Sequence, residues 1–282
     1  MLYSLVIPVY KAEKTLPLLV PELIKSMNSI TEQYEIVLVD DCSPDNSWAT
    51  LCGLQRQYGQ LRIIRLKKNC GQLAATTCGI HSAKGKAVVT MDDDLQFSPS
   101  EIPALINYYN QHNYKLVFGI AEKKINSKSL DYTRTVMRFL FRNIFLTRFR
   151  DVEYFSSFRI MNVRLAHKEK LKNLFMIWKL QPNEIGNFPV RHFPTKKQLT
   201  SYTFLKRVMH FSPYLMLALQ KLSFVFAATF GAMAVCLFLQ NAFATAIASA
   251  IIAFVFLISG LASFFYLRKT EKIKYSVQSS LP

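Results

Sequence analysis

Ala87-Val88-Val89-Thr90-Met91-Asp92-Asp93-Asp94-Leu95-Gln96 is the stretch whose reading decides the fold. Its first five residues form a mostly apolar run, the pattern of a strand covered on both faces. Three carboxylates follow without a break. Then Ser98-Pro99-Ser100-Glu101 reads as a helix start, with Ser98 as N-cap, Pro99 at the first helical position and Glu101 closing a capping box. The carboxylates therefore stand where a strand gives way to a helix. In an open α/β sheet, that carboxyl edge is where ligands bind. Adjacent anions repel one another unless a cation lies among them. Two readings fit the triplet alone: a divalent-metal site gripping a phosphorylated ligand, or a solvated acidic turn with a helix cap.

On either side of this stretch the same alternation repeats. Leu2–Val9 is a β-rich run, and Leu16–Ile30 has the spacing of an amphipathic helix. Glu35–Val39 is a strand ending in Asp40-Asp41, and Ser43-Pro44-Asp45-Asn46-Ser47 opens a helix to about Tyr58. Leu61–Leu66 is a strand, Asn69-Cys70-Gly71-Gln72 a turn, and Leu73–Ser82 a helix. Pro103–His112 is a helix and Leu116–Gly119 a strand. Alternating units of this size predict an α/β fold with a mostly parallel, doubly wound sheet and helices on both faces. Three strand ends then carry polar chemistry on one edge: Tyr10, Asp40/Asp41, and Asp92/Asp94/Gln96. Asp40 can accept hydrogen bonds from a base or ribose. Asp92 and Asp94, two residues apart, share one side of an extended segment and can hold a metal on a diphosphate. Hard oxygen ligands suit Mg2+ or Mn2+, and such an ion stabilises a departing diphosphate. Asp93 points the other way.

The 282 residues suffice for one sizeable domain and an appendage, and their formal net charge of +17 is unevenly placed. Residues 1–122 hold 11 Lys/Arg and 12 Asp/Glu, residues 123–221 hold 20 and 5, and residues 222–282 hold 4 and 1. A basic second part meets something anionic, nucleic acid or a membrane face. The tail favours the membrane. No charged residue lies between Lys221 and Arg268, a run of 46, and one span takes roughly 20 apolar residues. Leu222–Gln240 and Ala242–Leu267 read as two transmembrane helices; a buried hairpin of a soluble domain is the alternative. Basic residues flank both ends, which puts both ends in the cytoplasm. No signal peptide is expected at Met1–Tyr10. Residues 133–149, with Arg134, Arg138 and Arg142 every fourth position, form an amphipathic interface helix or a surface helix packed on its own domain. A second juxtamembrane helix is expected at 201–221. The division is thus 1–200 cytoplasmic domain, 201–221 juxtamembrane helix, 222–267 hairpin and 268–282 cytoplasmic tail. The five cysteines lack CxxC spacing and read as reduced and structural. Nucleic acid is not an expected partner, because the basic stretches interleave with apolar ones and lead into the hairpin.

Val6-Ile-Pro-Val-Tyr10, Val37-Leu-Val-Asp-Asp-Cys-Ser-Pro-Asp-Asn-Ser47, Asn69-Cys-Gly-Gln72 and Met91-Asp-Asp-Asp-Leu-Gln96, in that order, resemble family 2 glycosyltransferases of the GT-A fold. Within them the chain is most similar to the polyprenyl-phosphate glycosyltransferases, a group with dolichol-phosphate mannose synthases and bactoprenol glucosyl- and aminoarabinosyl-transferases. Ser157-Phe158-Arg159, Tyr202-Thr203-Phe204 and the two-span tail fit that group. The resemblance implies inverting transfer of a sugar from a nucleotide-sugar donor to a polyprenyl phosphate at the bacterial inner membrane, with Mg2+ or Mn2+. It implies Pro8, Tyr10, Asp40, Asn69, Gly71 and Asp92 at the nucleotide, and Asp94 and Gln96 on the metal. Asp92, Asp94 and Arg159 would be catalytic, and Arg134, Arg138, Arg159, Lys196 and Lys197 would meet the acceptor phosphate. A homo-oligomer, a tetramer among them, is also implied. Ala12, Glu122 and Thr195 depart from the family pattern, with Glu13 as a substitute carboxylate near the nucleotide. A lipid-linked glycan as acceptor and a non-catalytic membrane scaffold are the alternative readings.

Overall fold

The computed structural model describes residues 1–122, 156–168, 180–191, 193, 223–224, 226–235, 243–270 and 276–281. The chain divides into two units, 1–199 with 273–282, and 200–272. The first unit is an α/β domain on one eight-stranded sheet. Its strands are β1 (Tyr3–Val9), β2 (Tyr34–Asp40), β3 (Leu61–Leu66), β4 (Ala87–Thr90), β5 (Leu116–Ala121), β6 (Arg159–Asn162), β7 (Ile185–Val190) and β8 (Val277–Leu281). Its helices are α1 (Leu16–Asn28), α2 (Ser47–Gln57), α3 (Gln72–Ser82), α4 (Ile102–His112) and α5 (Val163–Lys168). The order across the sheet is β7-β5-β6-β4-β1-β2-β3-β8. β1 pairs in parallel with β2 and β4, β2 with β3, and β5 with β7.

All seven residues of β2 are buried, as the unbroken apolar run requires of a strand covered on both faces. On one face Leu5, Ile7, Ile36, Leu38, Ile63 and Val89 pack under α1, α2 and α4. The buried residues Leu16, Leu19, Val20, Leu23 and Met27 of α1 recur at helical spacing and meet this layer. α3 covers the other face. It approaches closely at Gly79, where an added Cβ would clash with Val6 Cγ1 and stand 3.1 Å from Val39 Cγ2. Pro8 lies in β1 beyond Val6, the last position paired with β4. Val6 accepts from Met91 on that side and Val9 from Asp41 on the other. The N–H that Pro8 lacks would thus point where β4 has ended, so the ladder loses nothing.

Three features differ from the sequence expectation. First, β6 runs antiparallel between β4 and β5, so β5 is not the neighbour of β4. Second, Glu101 does not close a capping box. Ser98 Oγ accepts from the Ser100 amide, Pro99–Glu101 forms a 3-10 turn, and the Glu101 carboxylate takes Arg191 Nε at 2.7 Å. An arginine just past β7 offers a charged partner that the backbone amide does not match. Third, the expected tail folds back as β8 along β3, with Ser279 opposite Arg65 and the Lys67 amide donating to Ser276.

In the second unit, residues 226–235 are helical and Phe243–Thr270 is a 28-residue helix. Phe226 and Phe230 pack on Phe256, at 5.0 and 6.0 Å between ring centroids. Phe224 lies where Gly260 leaves room. Counted over the described residues, no helix is long and apolar enough to cross a membrane. The interface helix at 133–149 and the juxtamembrane helix at 201–221 lie outside the described residues.

Gly79→Ala should cost about 1–3 kcal/mol by overpacking, seen as a lower unfolding midpoint of the full chain in detergent.

Candidate active site

The loop after β1 is held by an unbroken row of side-chain acceptors. The Tyr10 amide donates to Asp93 Oδ2 at 3.0 Å, Lys11 to Ser43 Oγ at 3.1 Å, Ala12 to Ser47 Oγ at 2.8 Å and Glu13 to Asp45 Oδ2 at 3.4 Å. The Tyr10 ring stays 39% exposed at the sheet edge. Glu13, the expected substitute carboxylate, accepts from the Asn46 amide and from Asn46 Nδ2, both at 3.3 Å. The departure at Ala12 is buried and structural, with its amide on Ser47.

The acidic triplet divides by strand alternation. In the antiparallel pairing Thr90 faces Arg159, so the continued register sets Asp92 opposite Ser157. Ser157 Oγ donates to Asp92 Oδ2 at 2.7 Å, and Gln72 Nε2, in the first turn of α3, donates to Asp92 Oδ1 at 2.5 Å. Asp93 turns away and is 6% exposed. Asp94 Oδ1 accepts from the Gln96 amide at 3.1 Å, and the Gln96 carbonyl accepts from Phe193 at 2.8 Å. Leu95 between them has φ 60°, a left-handed conformation that a bulky residue keeps only when its surroundings impose it. Lys11 at φ 52° and Cys42 at φ 55° stand in the loops after β1 and β2.

The two aspartates after β2 are both buried. Asp40 is fully buried, accepts from the Ser43 amide at 3.0 Å and lies 3.2 Å from Arg65 Nε. Arg65 is its register neighbour on β3 and stacks over Trp48. The Asp40 carboxylate is thus paired in charge with Arg65, while its Oδ2 and Arg65 Nε have no hydrogen-bond partner among the described residues. Asp41 takes the Cys70 and Gly71 amides at 2.7 and 2.8 Å. That fixes the turn carrying Asn69, which is exposed, and Gly71, whose φ of 88° suits glycine. Burial pushes the Asp41 carboxyl up, opposed by the two amides, and the Asp40 charge adds to the rise.

Arg159 lies in the strand beside the acidic turn. It is 4% exposed inside β6, in register with Thr90 on β4 and Phe118 on β5. The amide of Glu122 donates to Val190 and continues the β5 pairing. Arg134, Arg138, Lys196, Lys197 and Thr195 lie outside the described residues. Ser157, Gln72, Arg65 and the structural use of Asp93 were not assigned from sequence. Ser157 and Gln72 stood inside quoted motifs, but only the position of β6 beside β4 turns them toward Asp92.

The donor set fits a divalent cation of the hard class. Asp94 Oδ2 and the Gln96 side chain have no hydrogen-bond partner among the described residues, and Asp92 stands beside them. The Asp92 carboxyl is pushed up to about 6, chiefly by burial, with the Ser157 hydrogen bond opposing and the charges of Asp94 and Asp93 adding. A cation would offset that penalty. Among the described residues no group of three or more His, Cys, Asp or Glu side chains is placed to hold a metal ion. Mg2+-type sites with one or two carboxylates take their remaining ligands from water and phosphate oxygens.

The profile of glycosyl transferase family 2 matches residues 4–175. The chain belongs to this family. The dodecaprenyl-phosphate galacturonate synthase of Rhizobium johnstonii is 37% identical over 120 residues, covering 41% of this chain and 35% of that protein. The undecaprenyl-phosphate 4-deoxy-4-formamido-L-arabinose transferase of Serratia proteamaculans is 41% identical over 104 residues, 36% of this chain and 32% of that one. The chain thus spans about a third of the length of the curated relatives it matches. Among solved structures, glucosyl-3-phosphoglycerate synthase from Mycobacterium tuberculosis, determined with Mn2+, uridine diphosphate and phosphoglyceric acid, superposes with a TM-score of 0.59 at 14% identity over 78% of each chain. Mannosyl-3-phosphoglycerate synthase from Rubrobacter xylanophilus gives 0.58 at 14% identity, over 77% of this chain and 72% of that one. These likenesses establish the GT-A fold with its mostly parallel sheet.

Because the folded-state pKa of Asp92 lies above the carboxylate range of an unfolded chain, its neutral form favours folding. That contribution is full below about pH 4 and is lost as pH rises through about 6. In chelator, the unfolding midpoint should therefore fall across this window. Asp92→Asn should flatten the slope, and Mn2+ should restore stability to the wild type at pH 7.

Proposed function

We propose that this protein transfers a sugar, with inversion, from a nucleotide-diphosphate sugar to a polyprenyl phosphate of the undecaprenyl class at the cytoplasmic face of a bacterial inner membrane. The reading rests on one observation above all. At the carboxyl edge of a family 2 sheet, an exposed aromatic, Tyr10, and a buried-in-part carboxylate pair, Asp92 and Asp94, are tied into one rim. The names of the relatives supply the acceptor class.

Asp94 and Gln96 would hold Mg2+ or Mn2+, and Asp92 would orient the sugar-diphosphate. When bound, the ion neutralises charge on the departing diphosphate. The chain's own residues position the reactants. Ser157 and Gln72 fix both oxygens of Asp92, and the strained Leu95 aims Asp94 back at the Gln96 amide. A phosphate oxygen of the acceptor attacks the anomeric carbon, and the bond from that carbon to the diphosphate oxygen breaks. The nucleoside diphosphate leaves with the electron pair. The acceptor phosphate is largely dianionic at neutral pH, so no side chain has to remove a proton. Placement carries the step.

The membrane assignment draws on the second unit. Met233, Val235, Ile247, Ile251, Phe254, Val255 and Ile258 are each more than 40% exposed. An apolar surface of that extent on adjacent helices needs cover, and no charge interrupts residues 222–267. A two-helix hairpin in lipid supplies that cover. β8 supports its topology, because both ends of 200–272 connect to the same domain.

The decisive assay offers the purified protein polyprenyl phosphate and labelled nucleotide sugars with Mn2+. A labelled lipid phosphate that falls by about a hundredfold or more in Asp94→Ala carries the proposal. Label appearing only on a lipid-linked glycan overturns the acceptor, and no transfer from any donor despite nucleotide binding leaves a scaffold.

A further inference from the structure

We propose that Asp93 is a positioning residue for the donor nucleotide, holding the backbone of Tyr10 against the acidic turn so that the aromatic and the working carboxylates form one rigid rim. The inference rests on the nucleotide-sugar reading above.

The argument begins where the sheet stops. The β1–β4 ladder ends at Val6 with Thr90, and one further bond joins the Met91 amide to Val6. Past that point the β1–β4 pairing has ended. The Tyr10 amide faces the gap, and Asp93 Oδ2 accepts it at 3.0 Å. Of the four amides in the row from Tyr10 to Glu13, the next three are taken by Ser43, Ser47 and Asp45, all from the segment after β2. Asp93 alone in that row reaches from the end of β4. It is also the residue that strand alternation turns away from Asp92 and Asp94, so it acts on their placement without sharing their side of the turn.

The choice of a carboxylate is informative. Asp93 is buried, between Asp92 and Asp94 in the chain. A charge-assisted bond to an amide is shorter and stronger than a neutral one, which suits a tie that must hold position. If Asp93 only filled space, loss of its carboxylate would lower stability and leave nucleotide affinity alone. If it positions Tyr10, the loss is read in the donor.

The test uses the full chain in detergent, with uridine diphosphate and guanosine diphosphate plus Mn2+ as probes. Asp93→Ala should weaken binding of the accepted diphosphate about tenfold, whereas Asp93→Asn, whose amide oxygen can still accept from Tyr10, should stay within about threefold. In turnover, Asp93→Ala should raise donor KM far more than it lowers kcat, the reverse of Asp94→Ala. Without nucleotide, the Tyr10 amide should exchange faster with solvent in Asp93→Ala and not in Asp93→Asn. Wild-type affinity in Asp93→Ala, equal losses in both variants, or unchanged exchange at Tyr10 each overturn the assignment. A wild type that binds neither diphosphate overturns the nucleotide reading itself, and this inference with it.

Discussion

A parallel sheet ends in loops whose backbone N–H groups have no ladder partner, and a buried amide has to find an acceptor somewhere. In this chain that constraint is met by side chains from neighbouring strand ends. Tyr10, Lys11, Ala12 and Glu13 donate to Asp93, Ser43, Ser47 and Asp45; Cys70 and Gly71 donate to Asp41; Ser43 donates to Asp40. The loops after β1, β2 and β4 are thereby stitched to one another. Lys11, Cys42 and Leu95, all with left-handed backbone, lie in these loops.

The same stitching concentrates negative charge. Asp40, Asp41, Asp45, Glu13 and the triplet at 92–94 crowd one edge of the sheet, and Arg65 is the cation paired with Asp40 among them. Asp41 and Asp92 both have carboxyls pushed upward by burial and by neighbouring anions. The folded domain thus carries an electrostatic penalty at its ligand edge, a common trade of stability for function.

Much of this was legible in the sequence, for reasons that differ by element. β1 to β4 and the helices between them carry their period and their punctuation locally, so their limits fall within a few residues of the expected ones. The carboxyl edge was legible because Tyr10, Asp40 and Asp92 each follow an apolar run. What was not legible depends on contacts between distant segments. Asp40 reads as a ligand contact, and only the register of β3 shows Arg65 beside it. Glu101 reads as a capping box until Arg191 arrives from ninety residues away. Arg159 reads as a phosphate ligand from its motif, and only the insertion of β6 between β4 and β5 shows that it is buried. Ser157 becomes a partner of Asp92 by the same insertion. In each case a residue with sound local chemistry is recruited by a strand that local pattern does not place.

β8 carries a consequence for how the molecule is made. The partner of β3 is encoded after residues 200–272, so a ribosome emits the whole apolar segment before the strand that completes the sheet. Until then β3 is a bare edge, with unpaired N–H and C=O groups open to a wrong partner. Arg65, which neutralises buried Asp40, lies on that edge, opposite Ser279. The strand that completes the sheet is therefore the last element of the domain to be synthesised, after residues 200–272.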